Sequence, residues 1–485
     1  MQMLIRQAIL SVRSLQSNMT LSIYCIMNKL YFILMGAAAL LLLSCSKPNN
    51  ATGTGNGTGN GTGSGGNTPV EDNRGPFENE IGKTLSPWAE GCLDIHAVNS
   101  GRGECVFYIM PDGTSMCCDA GEIPKFGNEK AGDHPRVDQK PNANTRPYVT
   151  YANYFTHFLP DGVKYLDYMV MSHFHADHFG TPSDENYTQI TRMGYTWGQS
   201  GIMALYDMVP FDKMIDRAYS PNDTKYDFVP KTGKEYSSGY DHYANFIYWA
   251  RSAKGLKVER AKLGSTSQIK LLNNPAAYPD FVVEVNAVNG YVKGQTHPSD
   301  DAVKLIAENG TSISFLISYG DFDYLASGDG GTNTVIGMPL ANAINKKIEA
   351  MKSHHHFAWD TMSDAMMKIY QPKVVVSQSF YDHQPDMGHD WKCYGSSYEL
   401  KTSYEFQNAW KAYGTDQDKN WYFTNVHPTV ASKYPLEVAK MKGMNGHIVI
   451  RVKKGGDEFY VYVLDDTDFE YKVVQIDGPF YCHED

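Results

Sequence analysis

Hydrophobic and polar positions alternate in short blocks along most of the chain beyond residue 90. Residues 93–98, 105–110 and 114–118 are rich in apolar or β-branched side chains and are separated by Asn99-Ser100-Gly101 and Pro111-Asp112-Gly113. Short runs of this kind between turn-forming residues predict strands. Residues 163–171 are mostly apolar, which predicts a strand buried on both faces. Segments 281–288, 312–318, 323–327, 374–377, 447–452 and 458–464 read as further strands. Helical spacing falls between them at 202–208, 242–252, 342–351 and 360–370. Strand meanders punctuated by helices predict two mixed sheets covered by helices, an α/β sandwich.

The N-terminal region breaks this pattern. MNKLYFILMGAAALLLLSCSKPNN opens at Met27 with a lysine close behind, then runs apolar from Tyr31 to Leu43 and stops at Ser44-Cys45. A charged start, a short apolar stretch and a small-residue stop form a secretory signal. The apolar run is shorter than the ~20 residues that a membrane-spanning helix needs. Cysteine directly after the small residue resembles the lipobox of bacterial lipoproteins, which implies cleavage before Cys45 and lipidation of its sulfur. Residues 1–45 are therefore expected to be a signal peptide starting at Met27, and the location to be the bacterial cell envelope, lipid-anchored, on the periplasmic side or the surface. ATGTGNGTGNGTGSGGN, residues 51–67, cannot bury a core. Residues 46–86 are expected as a flexible tether and 87–485 as the folded body.

The net charge of −11 excludes a broad basic field for nucleic acid, so an anionic substrate must be captured locally. Beyond Cys45, the cysteines at 92, 105, 117, 118, 393 and 482 show no CxxC or zinc-finger spacing. They read as core thiols.

The chemistry is concentrated in MSHFHADHFG, directly after the strand expected at 163–171. His173, His175, Asp177 and His178 occupy four of six positions in a chain that holds 16 histidines. In a turn, His173 and His175 can converge on one ion. Asp177 and His178, entering a helix, can face a second. Imidazole with carboxylate suits zinc, with manganese or iron as alternatives.

This spacing resembles the metallo-β-lactamase fold superfamily, and the resemblance extends over residues 90–465. It implies a four-layer αββα sandwich with an insertion between the metal motifs. It also implies a supporting Asp119 in CCDAGE, an Asp329 in YLASGDGG that bridges two divalent ions, and a late histidine ligand from MKSHHHF. A narrower likeness is to the ComEC-type subfamily. CLDIHAVNSGRGECVFYIMPDGTSMCCDAGE is similar to its opening Val-Gly-x-Gly-Asp turn and strands, and NGTSISFLISYGDFDYLASGD to its Asn-x-x-Ser strand. MKSHHHFAWD stands where that subfamily has Leu-Lys-x-x-His-His-Gly-Ser, and PKVVVSQSFYDHQP and GHIVIRV resemble its closing half. This register implies His355 as the ligand among His354, His355 and His356, with His356 beside the substrate.

The chain departs from the superfamily where many members carry a third histidine for the first ion, about 20 residues before the bridging aspartate. Asn309 stands there, and His297 in GQTHPSD is a loop substitute. His242 reads as a core or surface histidine, and His383 as either a substrate contact or a plain loop residue. The resemblance implies a metal-dependent hydrolase acting on small or envelope-derived phosphodiesters through a metal-bridging hydroxide that Asp177 positions. Lactone, thioester or lactam hydrolysis, or an envelope-binding lipoprotein with a vestigial site, are the alternatives. The Tyr- and Trp-rich stretch 181–280 is expected either to wall a pocket (Trp197, Tyr206, Tyr219, Tyr240, Tyr243, Tyr248, Trp249) or simply to pack.

Overall fold

The computed structural model describes residues 74–123, 135–220, 226, 238–296, 307–331, 336–358, 361–387, 391–393, 404–406 and 419–483. Cys45, the signal segment and His297 lie outside the described residues. Among the described residues no helix is long and apolar enough to cross a membrane.

Two sheets carry the fold. One has nine strands in the order Val473–Tyr481, Glu458–Leu464, His447–Val452, Leu93–Ala97, Val106–Ile109, Ser115–Cys118, Leu166–Val170, Phe211–Asp216 and Lys257–Arg260. The other has eight: Tyr291–Val292, Phe281–Val288, Ser314–Tyr319, Phe322–Ala326, Ala350–Lys352, Val374–Ser377, Lys419–Phe423 and Met441–Met444. Strand alternation sends one set of side chains between the sheets. Ile95, Val106, Tyr108, Tyr168 and Val170 meet Val283, Phe315, Ile317, Tyr324 and Val374 in one buried core. The opposite faces are covered by helices. Phe107, Cys117, Met169 and Met214 pack with residues of helices Pro147–Phe158, Gly201–Met208 and Ser238–Lys254. On the second sheet, Leu325, Met351 and Val375 pack with residues of Gly337–Ile344, Asp364–Tyr370 and Pro428–Lys433. The layers run helix, sheet, sheet, helix, an αββα sandwich.

Several local expectations change. The helix expected over 342–351 is instead Gly337–Ile344, ended by Asn345 in a left-handed conformation (φ 44°). Ala350–Lys352 then enters the second sheet, paired in parallel with Phe322–Ala326 and Val374–Ser377. The end of the expected tether is also part of the body. Leu85 and Ser86 are buried, and Arg451 donates to the Pro76 carbonyl at 2.7 Å. The segment 181–280 forms no separate unit, because its strands Phe211–Asp216 and Lys257–Arg260 extend the first sheet. Cys92, Cys105, Cys117 and Cys118 are buried free thiols.

Parallel pairing places the site. Ser115–Cys118 and Leu166–Val170 run side by side, so Asp119 and the MSHFHADHFG segment emerge at the same edge. In the facing sheet, Phe322–Ala326, Ala350–Lys352 and Val374–Ser377 run parallel, delivering Asp329, the histidine triplet and Gln378. Sites in α/β sheets form at such carboxyl ends.

Candidate metal centre

The loop after Leu166–Val170 is fastened by backbone bonds before any side chain acts. Glu104 N donates to Asp177 O (2.7 Å), Ala120 N to His178 O (2.9 Å) and Glu122 N to Ala176 O (3.0 Å). Gly121 is required by this closeness, since a Cβ there would sit 1.7 Å from the Asp177 carbonyl oxygen. From the other sheet, Ile313 N donates to Ser172 O at 2.9 Å. Oε1 of Glu308 accepts from Phe174 N at 2.8 Å, between the two histidines. Glu308 is itself held by Arg217 through bonds of 2.9 and 2.6 Å.

Side chains from both sheets converge on Oδ2 of Asp329. His178 Nε2 lies 3.0 Å from it, His356 Nε2 3.2 Å and His173 Nε2 3.6 Å. His173 Nε2 is 3.2 Å from His175 Nδ1, so His173, His175 and Asp329 form one group with metal-ligand spacing. Asp177 Oδ2 is 3.3 Å from His356 Nε2, and His178 Nε2 is 3.3 Å from the same nitrogen. His178, His356, Asp329 and Glu104 form a second group with metal-ligand spacing that shares Asp329, and Asp177 adjoins it through His356. Oδ1 of Asp329 is buried with no hydrogen-bond partner among the described residues. The donor set of imidazole nitrogens and carboxylate oxygens fits two divalent ions bridged by one carboxylate.

Outer partners fix the rings. Asp119 is fully buried, in a left-handed conformation (φ 62°). Its Oδ1 accepts from Ser172 N at 2.7 Å, while Oδ2 accepts from Ser172 Oγ at 2.6 Å and faces His178 Nδ1 at 2.8 Å. Both oxygens are thereby engaged, which suits Asp119 to positioning a ligand ring, the supporting place that the resemblance implied. His356 Nδ1 donates to the Gln378 carbonyl at 2.9 Å, aiming Nε2 at Asp329. Bonds of this kind select the tautomer that leaves Nε2 as ligand.

The histidine triplet is arranged differently from the register that the sequence suggested. His356, not His355, stands with Asp177, His178 and Asp329. His355 Nε2 is 3.9 Å from Asp329 Oδ2 and 3.3 Å from Asn309 Nδ2. His354 is buried with Nδ1 against the Gly330 carbonyl. The cause is three successive left-handed residues, His355, His356 and Phe357, with φ of 44°, 56° and 60°. They turn the chain at His355, His356 and Phe357 although none of these is glycine.

Electrostatics match a site built for positive charge. Burial alone would raise the Asp177 and Asp329 carboxyls, but neighbouring imidazoles hold both below the usual range. Burial would lower His356, yet Asp329, Asp177 and Glu104 push it up to about 9. His178 is raised likewise, whereas burial and the charge of His178 lower His173.

Two residues of the site carry no role in the sequence reading. Glu104 is buried with Oε2 3.2 Å from His356 Nδ1 and Oε1 3.9 Å from His178 Nδ1. It therefore faces the outer edge of both rings. The Lys352 ammonium lies at that edge, 3.0 Å from Glu104 Oε2 and 3.8 Å from Asp329 Oδ1, so Glu104 pairs with a lysine while keeping metal-ligand spacing to His178, His356 and Asp329. Their only signal was position: Glu104 falls at the acidic end of the Val-Gly-x-Gly-Asp turn, and Lys352 at the lysine of the His-His motif. Nearby, the Arg136 guanidinium lies 5.1 Å over the Tyr381 ring. Burial and the Asp177 charge hold the Tyr381 phenol above its ordinary value.

The aromatic insertion mostly packs, and Tyr206 and Trp249 also line a cavity with Arg192, Asp207 and Lys254. Trp197, Tyr206, Tyr219, Tyr240, Tyr243 and Trp249 are buried in the core outside the first sheet, with Tyr248 against it. Tyr240 and Tyr243 back Phe174 at 5.3 and 5.1 Å. His242 Nδ1 accepts from Gly198 N at 3.2 Å and joins helix to hairpin. His383 is 3.0 Å from Asp382 Oδ1 and 5.4 Å from the Tyr381 ring.

No family model and no curated protein matches the chain. Among solved structures, CmlA, a diiron beta-hydroxylase from Streptomyces venezuelae, is 10% identical with a TM-score of 0.32, covering 76% of this chain and 55% of that one. A mutant of the CmlA beta-hydroxylase is 11% identical with a TM-score of 0.30, covering 60% of this chain and 46% of that one. The chain spans about half the length of these structures.

Proposed function

We propose that this protein is a dinuclear metal-dependent hydrolase that cleaves small phosphodiesters at the bacterial cell envelope. The observation that carries the reading is the pair of buried ligand groups sharing Asp329. When bound, two divalent ions, zinc by donor type, would supply Lewis acidity and a hydroxide at neutral pH, a combination suited to an anionic phosphoryl group. Asp329 would bridge them, with His173 and His175 on one side and Asp177, His178 and His356 on the other. Tyr381 is an O–H donor at neutral pH, as an ordinary phenol is. With the Arg136 cation beside it, Tyr381 would orient a phosphate oxygen or protonate a leaving alkoxide. The likeness to the ComEC-type subfamily supports phosphodiester chemistry, and Glu104 and Lys352 occupy its motif positions. The lipobox-like segment supports lipidation at Cys45 and attachment to a membrane.

The test is turnover by the metal-reconstituted protein. Bis-p-nitrophenyl phosphate or p-nitrophenylphosphorylcholine should be hydrolysed, and a cephalosporin or thioester should not. Lactam or thioester cleavage without diester cleavage would replace the reaction class. Purification with well under one equivalent of metal, even after reconstitution, would favour a binding lipoprotein.

A further inference from the structure

His173 and His175, the histidines of the first ion's group, flank Phe174, and the backbone at His175 is extended (φ −84°, ψ 153°). Alternate side chains of extended backbone point to opposite sides, so whatever fixes Phe174 sets the aim of both imidazoles. Phe174 is fixed twice. Its backbone N donates to Oε1 of Glu308 at 2.8 Å. Its ring is buried, with Tyr240 and Tyr243 at 5.3 and 5.1 Å and the Arg217 guanidinium 4.9 Å over it. Arg217 also holds Glu308, its Nε donating to Oε1 at 2.9 Å and its Nη2 to Oε2 at 2.6 Å. Both side chains of this pair are almost fully buried.

We infer that Glu308, locked by Arg217, is a positioning residue for the first ion, holding the backbone between His173 and His175 so that both imidazoles face Asp329. A fork of two bonds leaves the carboxylate one orientation, and a charged acceptor binds an amide more strongly than a neutral one. The partners come from both sheets. Arg217 directly follows Phe211–Asp216, the parallel neighbour of Leu166–Val170, and Glu308 opens the turn Glu308–Thr311 before strand Ser314–Tyr319. Arg217, Tyr240 and Tyr243 all belong to the aromatic stretch 181–280, and Tyr243 is tied to Asp216 Oδ2 at 2.8 Å. That stretch thus serves the centre as the mount of this clamp.

This inference rests on the two-metal reading, and metal binding by the reconstituted full chain separates the two. Arg217→Met with Glu308→Gln removes both charges and keeps an oxygen for the Phe174 amide. Arg217→Met with Glu308→Leu removes that oxygen too, and neither variant leaves a lone buried charge. Zinc affinity is read by competition with a chromophoric chelator, ligand geometry by Co(II) absorption, and the fold by denaturant titration of the metal-free protein. The glutamine variant should bind both ions close to wild type. The leucine variant should lose about 10–100-fold at one ion, the scale of outer-partner changes, with altered Co(II) bands for that ion alone. Added to His175→Ala, which lacks the first ion, the leucine change should weaken the remaining ion no further. Equal affinities in the glutamine and leucine variants, or equal weakening of both ions, would overturn the inference. Should the leucine variant not fold, Arg217→Lys, which keeps the charge without the fork, should weaken the first ion by a smaller factor, and unchanged affinity would overturn the inference. Fewer than two equivalents in wild type would overturn the two-metal reading itself.

Discussion

The ammonium of Lys352 lies 3.0 Å from Oε2 of Glu104, both nearly fully buried, behind the imidazoles of His178 and His356. Lys352 also donates to the Gly328 carbonyl at 2.8 Å, so one cation ties the strand leading to Asp329 to the turn of the opposite sheet. Removing one member of a buried ion pair leaves the other charge uncompensated, at a cost of about 3–5 kcal/mol. Lys352→Met should lower stability on that scale in denaturant titrations of the metal-free protein. Adding Glu104→Gln should recover a large part, because the orphaned charge is gone. Strictly additive losses in the two variants would show that the pair is not coupled.

Removal of Asp329 should act on both ions and removal of His175 on one. Asp329 is the residue shared by the two ligand groups, whereas His175 belongs to the first alone. Asp329→Asn is expected to hold well under one equivalent of metal after desalting, and His175→Ala about one. Equal retention in both would break the bridging assignment.

His447 gives a pH signature away from the centre. Burial and nearby positive groups hold its imidazole down to about 3, and its Nδ1 accepts from Asn99 N at 3.0 Å. The folded state therefore keeps it neutral, while the unfolded chain protonates near the ordinary value of about 6.5. This contribution is fully present above about pH 6.5 and is lost as pH falls toward 3, by up to about 1.4 kcal/mol per unit. His447→Asn retains an acceptor without the titration. The stability difference between wild type and variant should therefore shift against wild type between pH 6.5 and pH 3, and a pH-independent difference would contradict the assignment.

The sheets and the first metal motif were readable because both depend on neighbours in sequence. Strands 281–288, 374–377, 447–452 and 458–464 coincide with the structure. His173, His175, Asp177 and His178 share one loop, so their convergence needs no knowledge of the partner sheet. What was not readable depends on contacts over long separations. Glu104 and Lys352 lie 248 positions apart by number (352 − 104) and meet only once both sheets are stacked. The triplet register hinges on left-handed backbone at three non-glycine residues, which composition does not favour. Ala350 and Met351 continue a helical pattern, yet parallel strands on both sides draw them into the sheet. The tyrosines and tryptophans of 181–280 carry no mark that separates a pocket wall from the cover of an outer face.

Cys45→Ala should release the protein from the membrane fraction, since the Gly- and Thr-rich stretch after it offers a bilayer nothing apolar. Retention of the variant in washed membranes would assign attachment to another segment.

The last expectation concerns Asp119, which faces a ligand ring of the second group from its outer side. Its Oδ2 accepts from Ser172 Oγ and faces His178 Nδ1, while Oδ1 holds the Ser172 amide. Asp119→Asn keeps an oxygen for one of these donors but loses the charge that strengthens His178 as a ligand. Outer-partner changes of this type typically cost about 10–100-fold in metal affinity. Here the loss should fall mainly on the second ion, because Asp119 faces His178 directly at 2.8 Å and reaches His173 only through Ser172 Oγ at 3.0 Å. Competition with a chromophoric chelator should show one of two equivalents weakened by that factor and the other less affected. Equal weakening of both would place Asp119 in the support of the whole loop, and no weakening would leave the orientation of His178 to its backbone alone.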